Sequence, residues 1–313
     1  MNKKDLRIVY MGTPEFAVEP LRRLVEGGYS VVGVVTMPDK PVGRHQSSLQ
    51  ASAVKQYAVA QGLPVLQPER LKDETFLSEL RDLRADVQIV VAFRMLPEVV
   101  WNMPRCGTFN LHASLLPQYR GAAPINWAII NGETETGVTT FFLQHTIDTG
   151  AIIRQARMPI SETDDAGTVH DRLMMLGAQT VVQTVDDILT GTVHAVPQKA
   201  DEATLQAAPK IFTETCRIDW EQPVAKIYDF IRGLSPYPAA WTEVTLPTGQ
   251  RLTLKIFSAT KETRPHTLQP GTVDTDGKTF MRIAAADGFI GVRSIRVSGK
   301  KRMDVADYLR GLR

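Results

Sequence analysis

Three short, predominantly apolar runs, Leu6–Gly12, Val31–Thr36 and Asp86–Phe93, constrain the fold more than any other feature of the chain. A run without polar alternation reads as a strand covered on both faces, the signature of a parallel sheet. None approaches the roughly 20 apolar residues that cross a bilayer. Between the first two, Glu15–Glu26 places Phe16, Leu21, Leu24 and Val25 on one side of a helix, and Gly27-Gly28 ends it. Strands alternating with helical patterns build βαβ units, so the predicted class is α/β with a Rossmann-like open, twisted, largely parallel sheet. Gly107–His112 and Val138–Leu143 read as further strands, and Ala122–Asn131 and Ala166–Leu189 as helices.

Past Pro197 the texture changes. Residues 197–212 are polar and rich in Ala and Gln without clear period, and short β-rich pieces follow (WTEVTL, RLTLKIFSA, TFMRIAA, FIGVRSIRV), punctuated by PTGQ, TDG and ADG turns. This divides the chain into 1–196, a linker at 197–212, and a smaller β-barrel of OB-like type at 213–313. Charge divides in the same way. From residue 210 onward there are 17 Lys and Arg against 11 Asp and Glu, while the whole chain carries only +2. A basic β module points toward nucleic acid, although a solvated basic surface has the same composition. Two cysteines, Cys106 and Cys216, exclude a secreted disulfide scaffold and a cysteine-built zinc site. The N-terminus runs into the first strand with no leader-like segment, so the expected compartment is cytoplasmic.

The turn Met11-Gly12-Thr13-Pro14-Glu15 stands where a dinucleotide-binding fold needs G-x-G-x-x-G, and only Gly12 fits. A nicotinamide oxidoreductase is thereby disfavoured. The chemistry lies in Phe109–Gly121. If Gly107–His112 is a strand, Asn110 and His112 share a face near its carboxyl end, where open α/β sheets bind ligands. A carboxamide that donates to an oxyanion beside an imidazole that moves a proton suits acyl transfer. A strand end whose polar groups bond to backbone explains the same spacing. Asp148, before Thr149-Gly150, is a candidate to orient the imidazole, or simply a turn aspartate. His112 and His145 lack a third ligand at metal spacing, so no metal is expected.

The segments VYMGTPEFAV (Val9–Val18), FNLHASLLPQYRGAAPINWAIINGE (Phe109–Glu133), GVTTFFLQHTIDTGAII (Gly137–Ile153) and IRGLSPYPAAW (Ile231–Trp241) resemble the methionyl-tRNA formyltransferase family, within the folate-dependent formyltransferases. The likeness runs over nearly the whole chain, to GKKRM (Gly299–Met303) and YLRG (Tyr308–Gly311). It implies formyl transfer from 10-formyltetrahydrofolate to the α-amine of methionyl initiator tRNA by a cytoplasmic monomer. It also implies that Asn110, His112 and Asp148 are catalytic and that Ser114, Leu115, Leu116 and Pro117 line the folate pocket. Lys40, Arg44, Lys300, Lys301 and Arg302 are the implied tRNA contacts. Two departures stand out. His45-Gln46-Ser47-Ser48 follows Arg44 where many relatives carry lysines, and Phe93-Arg94 stands where they have Tyr-Gly. The alternatives are a formyltransferase acting on an amino nucleotide-sugar, which shares the trio but not the IRGLSPYP segment with a basic barrel, and a catalytically silent tRNA-binding module.

Overall fold

The computed structural model describes residues 2–42 and 48–312. Strands β1 (Arg7–Gly12), β2 (Ser30–Val35), β3 (Lys40–Val42), β4 (Ser48–Gln50), β5 (Val65–Leu66), β6 (Val87–Val91), β7 (Thr108–His112), β8 (Arg120–Gly121), β9 (Glu135–Phe142) and β10 (Ile152–Pro159) follow in order. Helices α1 (Val18–Glu26), α2 (Ala53–Ala60), α3 (Glu74–Asp82), α4 (Glu98–Trp101), α5 (Pro124–Ile130) and α6 (Ala166–Thr190) intervene. Seven strands make one sheet in the order β10-β9-β7-β6-β1-β2-β5. The pairings β1–β2, β2–β5, β1–β6 and β6–β7 are parallel, and β9 joins β7 antiparallel. Every residue of β6 is buried, as expected of a mostly apolar strand covered on both faces; Gln88 is its one polar member.

From β1 the chain builds outward to β2 and β5, then returns to β6 on the other side of β1, so the strand order reverses between β1 and β6. Open α/β sheets bind ligands at the carboxyl ends of strands near such a reversal. Gly12 closes that corner tightly: a Cβ there would stand 2.9 Å from the Val91 carbonyl and 2.7 Å from the Ala17 Cβ. The stretch after β2 holds β3 and β4, paired with Lys40 opposite Gln50 and Val42 opposite Ser48. Strands of three residues show no period to read.

The chain divides into two compact units. The first takes residues up to Arg120, Gly137–Met158 and His170–Gln206; the second takes Gly121–Thr136, Pro159–Val169 and everything from Ala207 on. The second unit contains β11 (Ala207–Ala208), α7 (Val224–Leu234), β12 (Ala240–Thr245), β13 (Arg251–Thr263), β14 (Val273–Thr275), β15 (Met281–Ala284), β16 (Gly288–Val297), β17 (Met303–Asp304) and α8 (Val305–Arg310). Its antiparallel sheet runs β12-β13-β16-β15-β14, with β17 on β16: a curled half-barrel around Ile227, Ile231, Leu254, Ile256, Ile283 and Ile295. Register irregularities around Ser258 let the 13-residue β13 curl. Among the described residues no helix is long and apolar enough to cross a membrane.

Candidate active site

Strand β7 sorts its side chains by alternation. Leu111 points toward α6, where a Cβ on Gly177 would meet its Cδ2 at 2.7 Å. Asn110 and His112 take the opposite face, in register with Phe141 and Thr139 of β9. Asn110 is half-buried, and among the described residues its carboxamide has no hydrogen-bond partner. His112 is buried and lies edge-on to the Phe141 ring, centroids 6.5 Å apart.

The imidazole is held from two sides. Its Nε2 lies 2.8 Å from the Tyr119 carbonyl oxygen. A carbonyl only accepts, so Nε2 carries the proton and Nδ1 presents its lone pair. Nδ1 faces Asp148 Oδ2 at 3.9 Å, and the two side chains are only 7% and 11% exposed. That separation is too long for a direct hydrogen bond but close enough for a carboxylate to stabilise an imidazolium in a site shielded from water.

Asp148 adopts φ +54°, a left-handed conformation that Asp tolerates better than most residues. Its backbone is clamped. Arg120 Nε and Gln198 Nε2 donate to the Asp148 carbonyl at 3.1 and 2.9 Å. Gln198 also donates to the Gly150 carbonyl and receives both Arg120 Nε and Nη2 on its own oxygen. Sequence reasoning missed Gln198, which lies inside the stretch read as a linker and carries no local signal. Gly150 is fixed by close approach, because a Cβ there would stand 1.6 Å from the Phe142 carbonyl oxygen.

The Ser114–Pro117 turn is built inward and outward at once. Ser114 and Leu116 are buried, whereas Leu115 and Pro117 are half-buried. Ser114 Oγ donates to the Gln118 carbonyl. Thr139 Oγ1 donates to the Ser114 carbonyl at 2.7 Å and accepts from the Leu116 amide at 3.1 Å. Gln155 Nε2 donates to the Leu116 carbonyl and to the same Thr139 oxygen. Thr139 and Gln155 were also missed. At the end of β6, Arg94 donates to the carbonyls of Pro68 and Glu69 and lies 5.6 Å from the Phe93 ring centre, so this departure ties a neighbouring loop to the strand end. Burial lowers the pKa of its guanidinium.

Of the implied tRNA contacts, Arg44 lies outside the described residues. Lys40 is exposed on β3. Lys300, Lys301 and Arg302 occupy the turn between β16 and β17, where Lys300 lies over Tyr308 and Arg302 over Phe257. Among the described residues no group of three or more metal-ligating side chains occurs.

The Formyl transferase family model matches residues 6–185, and the Formyl transferase, C-terminal domain model matches 210–313. Relatives named methionyl-tRNA formyltransferase include one from Parabacteroides distasonis, 67% identical over 100% of this chain and 98% of its own length. Another, from Bacteroides fragilis, is 64% identical over 99% and 96%. The chain belongs to the methionyl-tRNA formyltransferase family. The fold agrees with more distant solved structures. The N-formyltransferase of Helicobacter canadensis, solved with folinic acid and dTDP-3-aminofucose, superposes with a TM-score of 0.67 at 20% identity, covering 92% of this chain and 98% of that one. HypX of Aquifex aeolicus, solved with tetrahydrofolic acid, gives 0.65 at 19% identity over 97% of this chain, which spans about half (47%) of the HypX chain. The two matched segments of this chain correspond to the parallel-sheet and half-barrel architectures, respectively.

Proposed function

We propose that this chain transfers the formyl group of 10-formyltetrahydrofolate to the α-amino group of methionyl initiator tRNA, giving formylmethionyl-tRNA for translation initiation. The observation that carries the reading is the meeting of Asn110 and His112 on one face of β7 with Asp148 3.9 Å from His112 Nδ1. The residues up to 196 hold the folate and aminoacyl site, and 213–313 contact the tRNA. The protein works as a monomer in the cytoplasm, where its acceptor is consumed.

The amine nitrogen attacks the formyl carbon, and the carbonyl electron pair moves onto oxygen. Asn110 Nδ2, which has no other partner among the described residues, donates to that oxyanion. The attacking amine must shed a proton. With Nε2–H committed to Tyr119, His112 Nδ1 takes it, and the Asp148 carboxylate stabilises the imidazolium. When the tetrahedral centre collapses, the carbon–nitrogen bond to the donor breaks and the same proton returns to the departing nitrogen. Leu115 and Pro117 supply apolar wall for a flat donor ring, and Ser114 and Leu116 anchor that wall.

The test is conversion of methionyl initiator tRNA to its formylated form on an acid-urea gel, with 10-formyltetrahydrofolate as donor. Elongator methionyl-tRNA and a dTDP-amino sugar run beside it. Product from initiator tRNA alone supports the reading, and product from the sugar alone overturns it.

A further inference from the structure

The curled sheet of the second unit has an apolar inner face and an outer face of a different kind. Register sets Trp241 of β12, Lys255 of β13 and Arg296 of β16 side by side, and an isolated bridge adds Arg217 next to Trp241. Strands lie about 4.8 Å apart, so these four residues make a row roughly 14 Å long. Lys255 and Arg296 are directly opposed like charges, an arrangement that costs stability unless an anion relieves it. Among the described residues, no carboxylate ion-pairs with Lys255, Arg296 or Arg302; Arg217 has only the exposed Glu243, at 3.6 Å. Instead the cations lie against rings. The Arg217 guanidinium is 5.5 Å from the Trp241 ring centre, and Arg296 and Arg302 lie 5.9 and 4.4 Å from that of Phe257.

Lys255 Nζ donates to the Pro238 carbonyl at 2.8 Å and so links the row to the loop bearing Tyr237. Tyr237 is 82% exposed, the most exposed large apolar side chain among the described residues. Its loop is pinned. Ser235 O accepts from the Gly167 amide, and the Ala239 amide donates to Leu234 O. A projecting aromatic ring on a fixed loop, beside Lys255 and Arg296, which ion-pair with no carboxylate among the described residues, has the two parts that single-stranded nucleic acid requires: a π face for a base and positive charge for its phosphates. An aromatic held in place also pays little ordering entropy on binding.

We infer that this outer face is an RNA-contact surface on which Tyr237 stacks against an unpaired base of the tRNA while Lys255 and Arg296 take the flanking phosphates. The inference rests on the reading of tRNA as acceptor and adds a site to it, distinct from the Lys300-Lys301 turn.

The experiment is equilibrium binding of the full chain to uncharged initiator tRNA by fluorescence anisotropy over a salt series. Wild type is compared with Tyr237→Ala, Tyr237→Trp and the Lys255→Ala/Arg296→Ala pair, with the unfolding midpoint measured for each. Expected is about a tenfold loss for Tyr237→Ala at fixed salt, with the salt slope unchanged, and rescue by Tyr237→Trp. The paired variant should reduce the slope of log K against log salt by about 1.5. In turnover, Tyr237→Ala should raise the KM for tRNA while the KM for the folate donor holds. If the paired variant fails to fold, Lys255→Gln and Arg296→Gln singly should each reduce the slope by about 0.7 to 0.9. A folded Tyr237→Ala protein that binds within twofold of wild type overturns the proposal, as does an unchanged salt slope in folded Lys255 and Arg296 variants. Binding is read without turnover, so a failure of the formylation reading would show separately.

Discussion

Thr139 donates to the Ser114 carbonyl and accepts from both the Leu116 amide and Gln155, so one hydroxyl fixes the turn beside His112. Thr139→Val keeps the shape and leaves these buried groups unpaired. It should cost about 1–3 kcal/mol, seen as a lower unfolding midpoint, and weaken folate binding in a fluorescence titration. Asn110→Ala should act on turnover instead, lowering kcat about 10²- to 10³-fold while the KM for tRNA changes little. Single residues differ in how visible they are in the sequence. Asn110 and His112 follow from strand alternation. Asp148 rests on the resemblance, because it lies 36 positions from His112 and no local motif ties them. Thr139, Gln155 and Gln198 gave no sign, because each works through backbone carbonyls remote in sequence, 50 residues away for Gln198 and Asp148.

At the scale of elements, the β3–β4 hairpin is pinned at its base. Asp39, just before β3, accepts from Lys55 Nζ at 2.6 Å and Gln67 Nε2 at 2.8 Å. Those bonds, Lys55 first, hold its carboxyl below the ordinary carboxylate range. A folded-state pKa below the unfolded one stabilises the hairpin above the unfolded value, near 4, and that contribution is lost as pH falls through the folded value. Asp39→Asn at neutral pH should therefore speed hydrogen exchange at the amides of Lys40, Val42 and residues 48–50, as acidification does in wild type once intrinsic rates are removed. The loop carrying Asp148 offers a second test. With the Phe142 carbonyl 1.6 Å from a Cβ on residue 150, Gly150→Ala must displace the loop, lowering the unfolding midpoint and nearly abolishing formylation. The long strands and α6 were legible because apolar runs and helical period persist over many residues. The hairpin and β5 were not, because two or three residues carry no period.

At the scale of the molecule, the α/β class and the basic β-rich final third were both readable from the sequence. The composition of the units was less so. Gly121–Thr136 and Pro159–Val169 precede the change of texture yet belong to the second unit, through pairs such as Asn126 with the Gly233 carbonyl and Arg232 with the carbonyls of Ser161 and Asp164. Contacts across some 70 to 110 positions leave no periodic trace. A monomer that binds tRNA through basic surface should show one chain's mass by light scattering and lose tRNA affinity steeply as salt rises. The central claim, that Asn110, His112 and Asp148 formylate methionyl initiator tRNA, is tested most directly by single-turnover rates with enzyme in excess. The comparison needs wild type, Asn110→Ala and Asp148→Asn on initiator and elongator methionyl-tRNA. The account predicts fast formylation of the initiator only, slowed at least a hundredfold in both variants while folate binding persists. Wild-type rates in a folded Asn110→Ala protein, or equal rates on both tRNAs, would contradict it.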